Sequence, residues 1–199
     1  MASRDEILAR LRADTLPNQD LPDLAGPWIA YENAAEQFAK SLAGIGGSCH
    51  FVDSLDAARE HLSQLTVFQT AKQVASLVPE IAAGNIDERA CDDPHQLETI
   101  DVAIARGEFG VAENGAIWLW DSQLRNRVLL FITQHLVLVI PAEQIVHTMH
   151  AAYERLTFDG TPRFGAFIAG PSKTADIEQS LVIGAHGPRS LTVYCVKSS

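Results

Sequence analysis

Along most of this chain, short apolar runs bounded by glycine, proline or polar turns alternate with stretches whose apolar residues fall three and four apart. The C-terminal case is the clearest. Phe164 to Ala169 is apolar apart from Gly165, as a strand buried on both faces requires, and Gly170-Pro171-Ser172 breaks it. A helix is predicted from near Thr174, whose hydroxyl can accept a first-turn N–H, with Asp176 and Glu178 set early against the positive end of the dipole. Ile177, Leu181 and Gly184 follow at intervals of four and three. Gly184, Gly187 and Pro188 stop that helix, and Leu191 to Val196 returns as a strand. Strand, helix and strand this close predict a right-handed parallel crossover.

The same grammar runs through the earlier residues. Residues 3–13 are helical in pattern, with Ile7, Leu8 and Leu11 on one face, and Pro17, Pro22, Gly26 and Pro27 then make an extended arm. Helical spacing returns over 31–43, bringing Phe38 and Leu42 inward, and Gly44 to Gly47 end it. A strand over Cys49 to Val52 leads to a helix over 55–65 capped by Asp53 or Ser54. A weaker strand is predicted at Val67 to Thr70 and a helix at Ala71 to Ala83. Asp92-Asp93-Pro94 is a turn before a short helix, and Asn114-Gly115 between two apolar runs signals a two-residue hairpin. Val128 to Ile132 and Leu136 to Ile140 are further strand candidates, and Pro141 opens a predicted amphipathic helix over 142–156. The sum is an α/β chain with a mostly parallel sheet flanked by helices and an antiparallel hairpin insertion. Residues 1–30 form an N-terminal helix and arm, and 31–199 one α/β domain.

Composition narrows the function. The 199 residues are 47% hydrophobic, enough for one core. No apolar run approaches membrane-spanning length, and the charged N-terminus is unlike a signal peptide, so a cytoplasmic location is expected. The formal net charge of −10 argues against a nucleic-acid or anionic-membrane partner, because both need a basic footprint. Cys49, Cys91 and Cys195 make no CxxC pair and are expected to be small core residues, with no metal site or cofactor of the chain's own.

Candidate chemistry gathers in two places. Gly165 and Gly170 bracket four residues as in a phosphate loop, but Pro171-Ser172 stands where Lys-Ser/Thr should. A looser anion site survives: Ser172, Lys173 and Thr174 at a helix N-terminus, with Gly170, Asp176 and His186 lining or bracing it. The alternative is a capped loop whose lysine is merely solvated. Glu113, at a strand end beside a glycine turn, is a candidate nucleophile or base, with Gly110 and Gly115 flanking it. An exposed turn glutamate explains it equally well. Glu143, His147, His150 and Glu154 recur at metal-ligand spacing on the predicted 142–156 helix, and a solvated polar stripe accounts for them equally.

Gly170 to Glu178, continuing through Gly184-Ala185-His186-Gly187-Pro188, resembles the C-terminal signature of the lactate-utilisation protein C family, the LUD domain. Pro141 to Val146 resembles the segment preceding it there. Val111 to Leu119 resembles the family's Ala-Glu-Thr-Gly-Thr hairpin, with Asn114 and Ala116 in place of the threonines. The resemblance implies a fold related to sugar isomerases, CoA transferases and 5-formyltetrahydrofolate cyclo-ligases. It also implies a role in oxidising L-lactate to pyruvate with two iron–sulfur partner proteins, which would hold the clusters. A small anionic metabolite would bind at the 170–176 loop, and the N-terminal arm would serve a homo-oligomer. Two alternatives stay open: a stand-alone transferase-like or cyclo-ligase-like enzyme using Glu113, whose Glu113-Asn114-Gly115 resembles the class I CoA-transferase active site, and a non-catalytic assembly subunit.

Overall fold

The computed structural model describes residues 3–13, 20, 22, 25–157, 164–174 and 181–197. In chain order the first elements are α1 (Arg4–Ala13), α2 (Ala34–Gly44), β1 (Ser48–Val52), α3 (Leu55–Gln64), α4 (Thr66–Gln69) and β2 (Val74–Ser76). The middle holds β3 (Val102–Arg106), β4 (Phe109–Val111), β5 (Ala116–Trp120), α5 (Leu129–Ile132) and β6 (His135–Pro141). The last are β7 (Ile145–Val146), α6 (Met149–Arg155), β8 (Gly165–Ile168), β9 (Lys173–Thr174), β10 (Val182–Ile183) and β11 (Ser190–Val196). Among the described residues no helix is long and apolar enough to cross a membrane.

The main sheet has five strands in the order β1-β11-β6-β3-β2, every pair parallel. Its strands are apolar on both sides because alternate residues serve different cores. Ala103, Ala105, Leu136, Leu138, Ile140, Leu191, Val193 and Cys195 face a cluster that includes Phe38 and Leu42 of α2. Val102, Ile104, Val137, Val139 and Tyr194 face Ala58 and Leu62 of α3 on the other side. Of the two candidate caps, Ser54 is the one that acts, its Oγ accepting the Ala57 N–H; Asn33 Oδ1, not singled out in the sequence, accepts the Glu36 N–H at the start of α2. A second, four-stranded sheet, β7-β4-β5-β8, lies against the first cluster through Ile117 and Leu119 of β5. Its aromatic face, with Phe109 and Trp118, is covered by α6.

Several expectations are corrected. Thr66–Gln69 is a helical turn, not a strand: Leu65 and Phe68, three apart, both pack on the α3-side core, where a strand would point them oppositely. Within the predicted helix over 71–83, Val74–Ser76 is a strand. Val74 and Ala75 are buried in opposite cores, so no alternation marks it. Leu129–Ile132 is a helical turn rather than a strand, and short apolar runs carry no period to tell the two apart. Pro141 ends β6 instead of opening a helix; Ile145–Val146 then pairs with β4, and α6 starts only at Met149, capped by Thr148. The predicted C-terminal crossover also divides: β8 pairs antiparallel with β5 in the second sheet, while β11 lies in the first.

Candidate functional site

The C-terminal signature folds into a clasp between two loops. Lys173 and Thr174 pair antiparallel with Ile183 and Val182, so neither end of the predicted 174–184 helix is helical. β-Branched Val182 and Ile183 favour the strand, and the hydrogen bond from Gly184 N to Ser172 O, 2.9 Å, continues the hairpin. The helix terminus on which the anion site was predicated is therefore replaced by a strand, and Asp176 lies outside the described residues. Ser172 N donates to Pro188 O at 2.8 Å, joining the two glycine-rich loops directly. A Cβ on Gly187 would stand 2.9 Å from that of Ser172. Gly170, at φ 73°, crosses Ile45 so closely that a Cβ would lie 2.9 Å from its carbonyl oxygen.

Gly170, Ser172 and His186 thereby come together around a cleft of about 190 Å³, with Phe131, Phe167 and Pro188. Lys173 is exposed on the hairpin beside it. The clasp sits at the edge of the main sheet where strands begin: Arg189 N donates to Gln134 O just before β6 and β11 start.

Glu113, Gly110 and Gly115 belong to a different place. The hairpin loop is four residues, Ala112 to Gly115, since Val111 pairs with Ala116 and Gly115 N donates to Val111 O at 2.9 Å. The Glu113 carboxylate accepts the Met149 N–H at 2.8 Å, at the start of α6. Ser41 of α2 donates its hydroxyl to Ala112 O at 2.7 Å. Gly110 and Gly115 are packed on α2: a Cβ on the first would meet the Phe38 ring at 2.9 Å, on the second the Leu42 backbone at 2.7 Å.

The predicted metal stripe does not form one helix face, because Glu143 and His147 precede α6. His147 Nδ1 accepts the Tyr31 N–H at 3.0 Å, and the His150 ring stacks on Trp28. Among the described residues no three or more His, Cys, Asp or Glu side chains are placed to hold a metal ion.

Three titratable arrangements went unseen in the sequence. His135 Nδ1 and Ser190 Oγ, cross-strand neighbours, lie 2.8 Å apart. Nearby, Asp101 Oδ2 accepts the N–H groups of Gln73 and Lys72, which hold its carboxyl below the usual range. Burial, then the Arg189 charge, lowers His135. On the α3 side of the sheet, His61 Nδ1 lies 2.9 Å from the Tyr194 hydroxyl, and the rings of His50 and His61 are 4.2 Å apart. Burial, then His61, lowers His50, and burial pushes Tyr194 up to about 12. Cys49 and Cys195 are thiols with sulfurs 3.6 Å apart.

A cleft of about 660 Å³ also went unseen, at the opposite sheet edge, where β3, β6 and β11 end. Arg59, Arg106 and Lys197 stand around it. Polar residues directly after apolar runs, Asp53-Ser54, Arg106 to Glu108 and Lys197, were the available signal. Strand order, which brings them together, was not in the sequence pattern.

An open parallel sheet covered on both faces, with a second small sheet and clefts at both edges, defines the chain as an α/β domain. Residues 67–196 match the LUD domain, and the chain belongs to the LUD domain family. It is 37% identical over 97 residues to lactate utilization protein C of Shouchella clausii, a match covering 47% of this chain and 42% of that one. Lactate utilization protein C of Oceanobacillus iheyensis is 32% identical over 104 residues, 50% of this chain and 45% of the relative. These matches span under half the length of the relatives. An uncharacterised protein of Neisseria meningitidis serogroup B is 24% identical across 98% of this chain and 94% of its own. A DUF162 family crystal structure from Deinococcus radiodurans shares the fold, with a TM-score of 0.57 at 19% identity over 82% of this chain and 96% of that one.

Proposed function

We propose that this chain acts in lactate utilisation, holding a small anionic metabolite, L-lactate or pyruvate, between the 170–172 and 186–188 loops. The observation that carries the proposal is the likeness of the LUD-matched part to proteins named for lactate utilisation. The geometry supports it on three counts. A cleft of about 190 Å³ suits a three-carbon acid. The Ser172 hydroxyl and the His186 ring offer hydrogen bonds to a carboxylate and a 2-hydroxyl, with Lys173 one residue away. Phe131 and Phe167 supply an apolar wall for the methyl group.

Oxidation of lactate to pyruvate releases two electrons and two protons, and the electrons pass to iron–sulfur clusters carried by partner proteins. The test is growth on L-lactate as sole carbon source after deletion of the gene, with complementation by wild type, Ser172→Ala and His186→Ala. Loss of growth restored by wild type alone is the expected result. Undiminished growth of the deletion strain would refute the role. Full complementation by both variants would move the metabolite to another part of the chain.

A further inference from the structure

The larger cleft has no part in the lactate proposal, and its chemistry differs. It opens at the carboxyl edge of the parallel sheet, the place where open α/β sheets hold their ligands. Leu55, Val139, Ile140 and Val196 give it an apolar floor. On its rim two guanidinium groups from separate elements converge on one residue: Arg59 Nη1 donates to the Glu80 carbonyl oxygen and Arg106 Nη2 to the Glu80 carboxylate, each at 2.9 Å. Lys197, at the end of β11, adds a third cation.

Each cation is paired with a carboxylate, Arg59 with Asp56, Arg106 with Glu80 and Lys197 with Asp53. These pairs are water-exposed and therefore weak, so an incoming anion can exchange with them. Two arginine forks side by side suit the oxygens of a phosphate better than a single carboxylate. The volume, about 660 Å³, is several times that of the 190 Å³ cleft and within the range that encloses whole organic ligands.

We propose that this cleft is a second ligand site, for a phosphate-bearing molecule of mononucleotide size. The phosphate lies between Arg59 and Arg106, and the body rests on Val139, Ile140 and Val196. The Glu80 and Glu108 carboxylates, both on the lining, accept hydrogen bonds from its hydroxyl or amino groups.

Calorimetric titration of the full chain with AMP, GMP, FMN and inorganic phosphate tests this. At least one mononucleotide should bind about tenfold or more tightly than inorganic phosphate, and Arg59→Ala and Arg106→Ala should each weaken that binding by about tenfold. Lys40→Ala, on α2 and outside both clefts, should leave it unchanged. Should Arg106→Ala fail to fold by circular dichroism, Arg106→Gln takes its place. Either no mononucleotide binding tighter than inorganic phosphate, or equal affinities in wild type and both arginine variants, overturns the proposal. Neither result bears on growth on lactate.

Discussion

At the residue scale, two glycines separate close approach from mere tolerance. Gly115 has φ 71° and faces the Leu42 backbone at 2.7 Å, so Gly115→Ala meets both a left-handed penalty and a clash that cannot relax. We expect it to lose about 2–4 kcal/mol in urea denaturation. Gly44, with nothing within 4 Å, should accept alanine with no loss, or gain up to about 1 kcal/mol. Glu113 is the second case, because its carboxylate already accepts the Met149 N–H. Glu113→Ala should cost about 1 kcal/mol of stability while Glu113→Gln retains most of it. If Glu113 were instead an acyl-transfer nucleophile, hydroxylamine trapping with acyl-CoA would label its peptide; we expect no adduct. Glu113 and its glycine turn were legible as a motif, but not the helix start its carboxylate would meet, since that pairing depends on β4 lying beside β7.

At the element scale, one histidine on β1 and one on β6 give the fold a pH dependence. His50 and His135 are both lowered by burial, so the native state resists protons that the unfolded chain accepts. Their contribution is therefore full above the unperturbed value of 6.5 and is lost as pH falls from there through the depressed native values. Thermal midpoints should drop between pH 7 and pH 5, and His50→Gln should flatten part of that slope. A midpoint that rises on acidification would contradict both assignments. The elements themselves were legible where the pattern was strong: α2 and α3, with one buried face, showed their stripes, and β6 and β11, buried on both, their continuous apolar runs. Val74–Ser76 departs from its predicted helix because Val74 and Ala75 are buried in opposite cores and show no alternation, and Leu129–Ile132 from its predicted strand because four apolar residues are too few to show a period. At 173–174 and 182–183 the predicted helix gives way to paired strands, which the four-and-three spacing of Ile177, Leu181 and Gly184 did not signal.

At the scale of the whole molecule, the contrast lies between α1 and the residues just before α2. α1 has no buried residue, whereas Trp28 stacks on His150 and Tyr31 donates to His147. Removing residues 1–24 should leave the thermal midpoint within about 2 °C of the full chain, while Trp28→Ala should lower it by more. A large drop on truncation would show that the arm is part of the domain. The parallel architecture was legible from the alternation of elements. The partition into two sheets was not, because nothing local states that β8 would answer β5 rather than β11.

The placement of β1 beside β11 has a consequence for how the polypeptide is made. Residues 48–52 leave the ribosome early, yet their hydrogen-bonding neighbour is residues 192–196. Until residues 192–196 have been made, the earlier strand has no hydrogen-bonding mate at that edge. That edge of the sheet closes only across the whole intervening sequence, never between near neighbours along the chain.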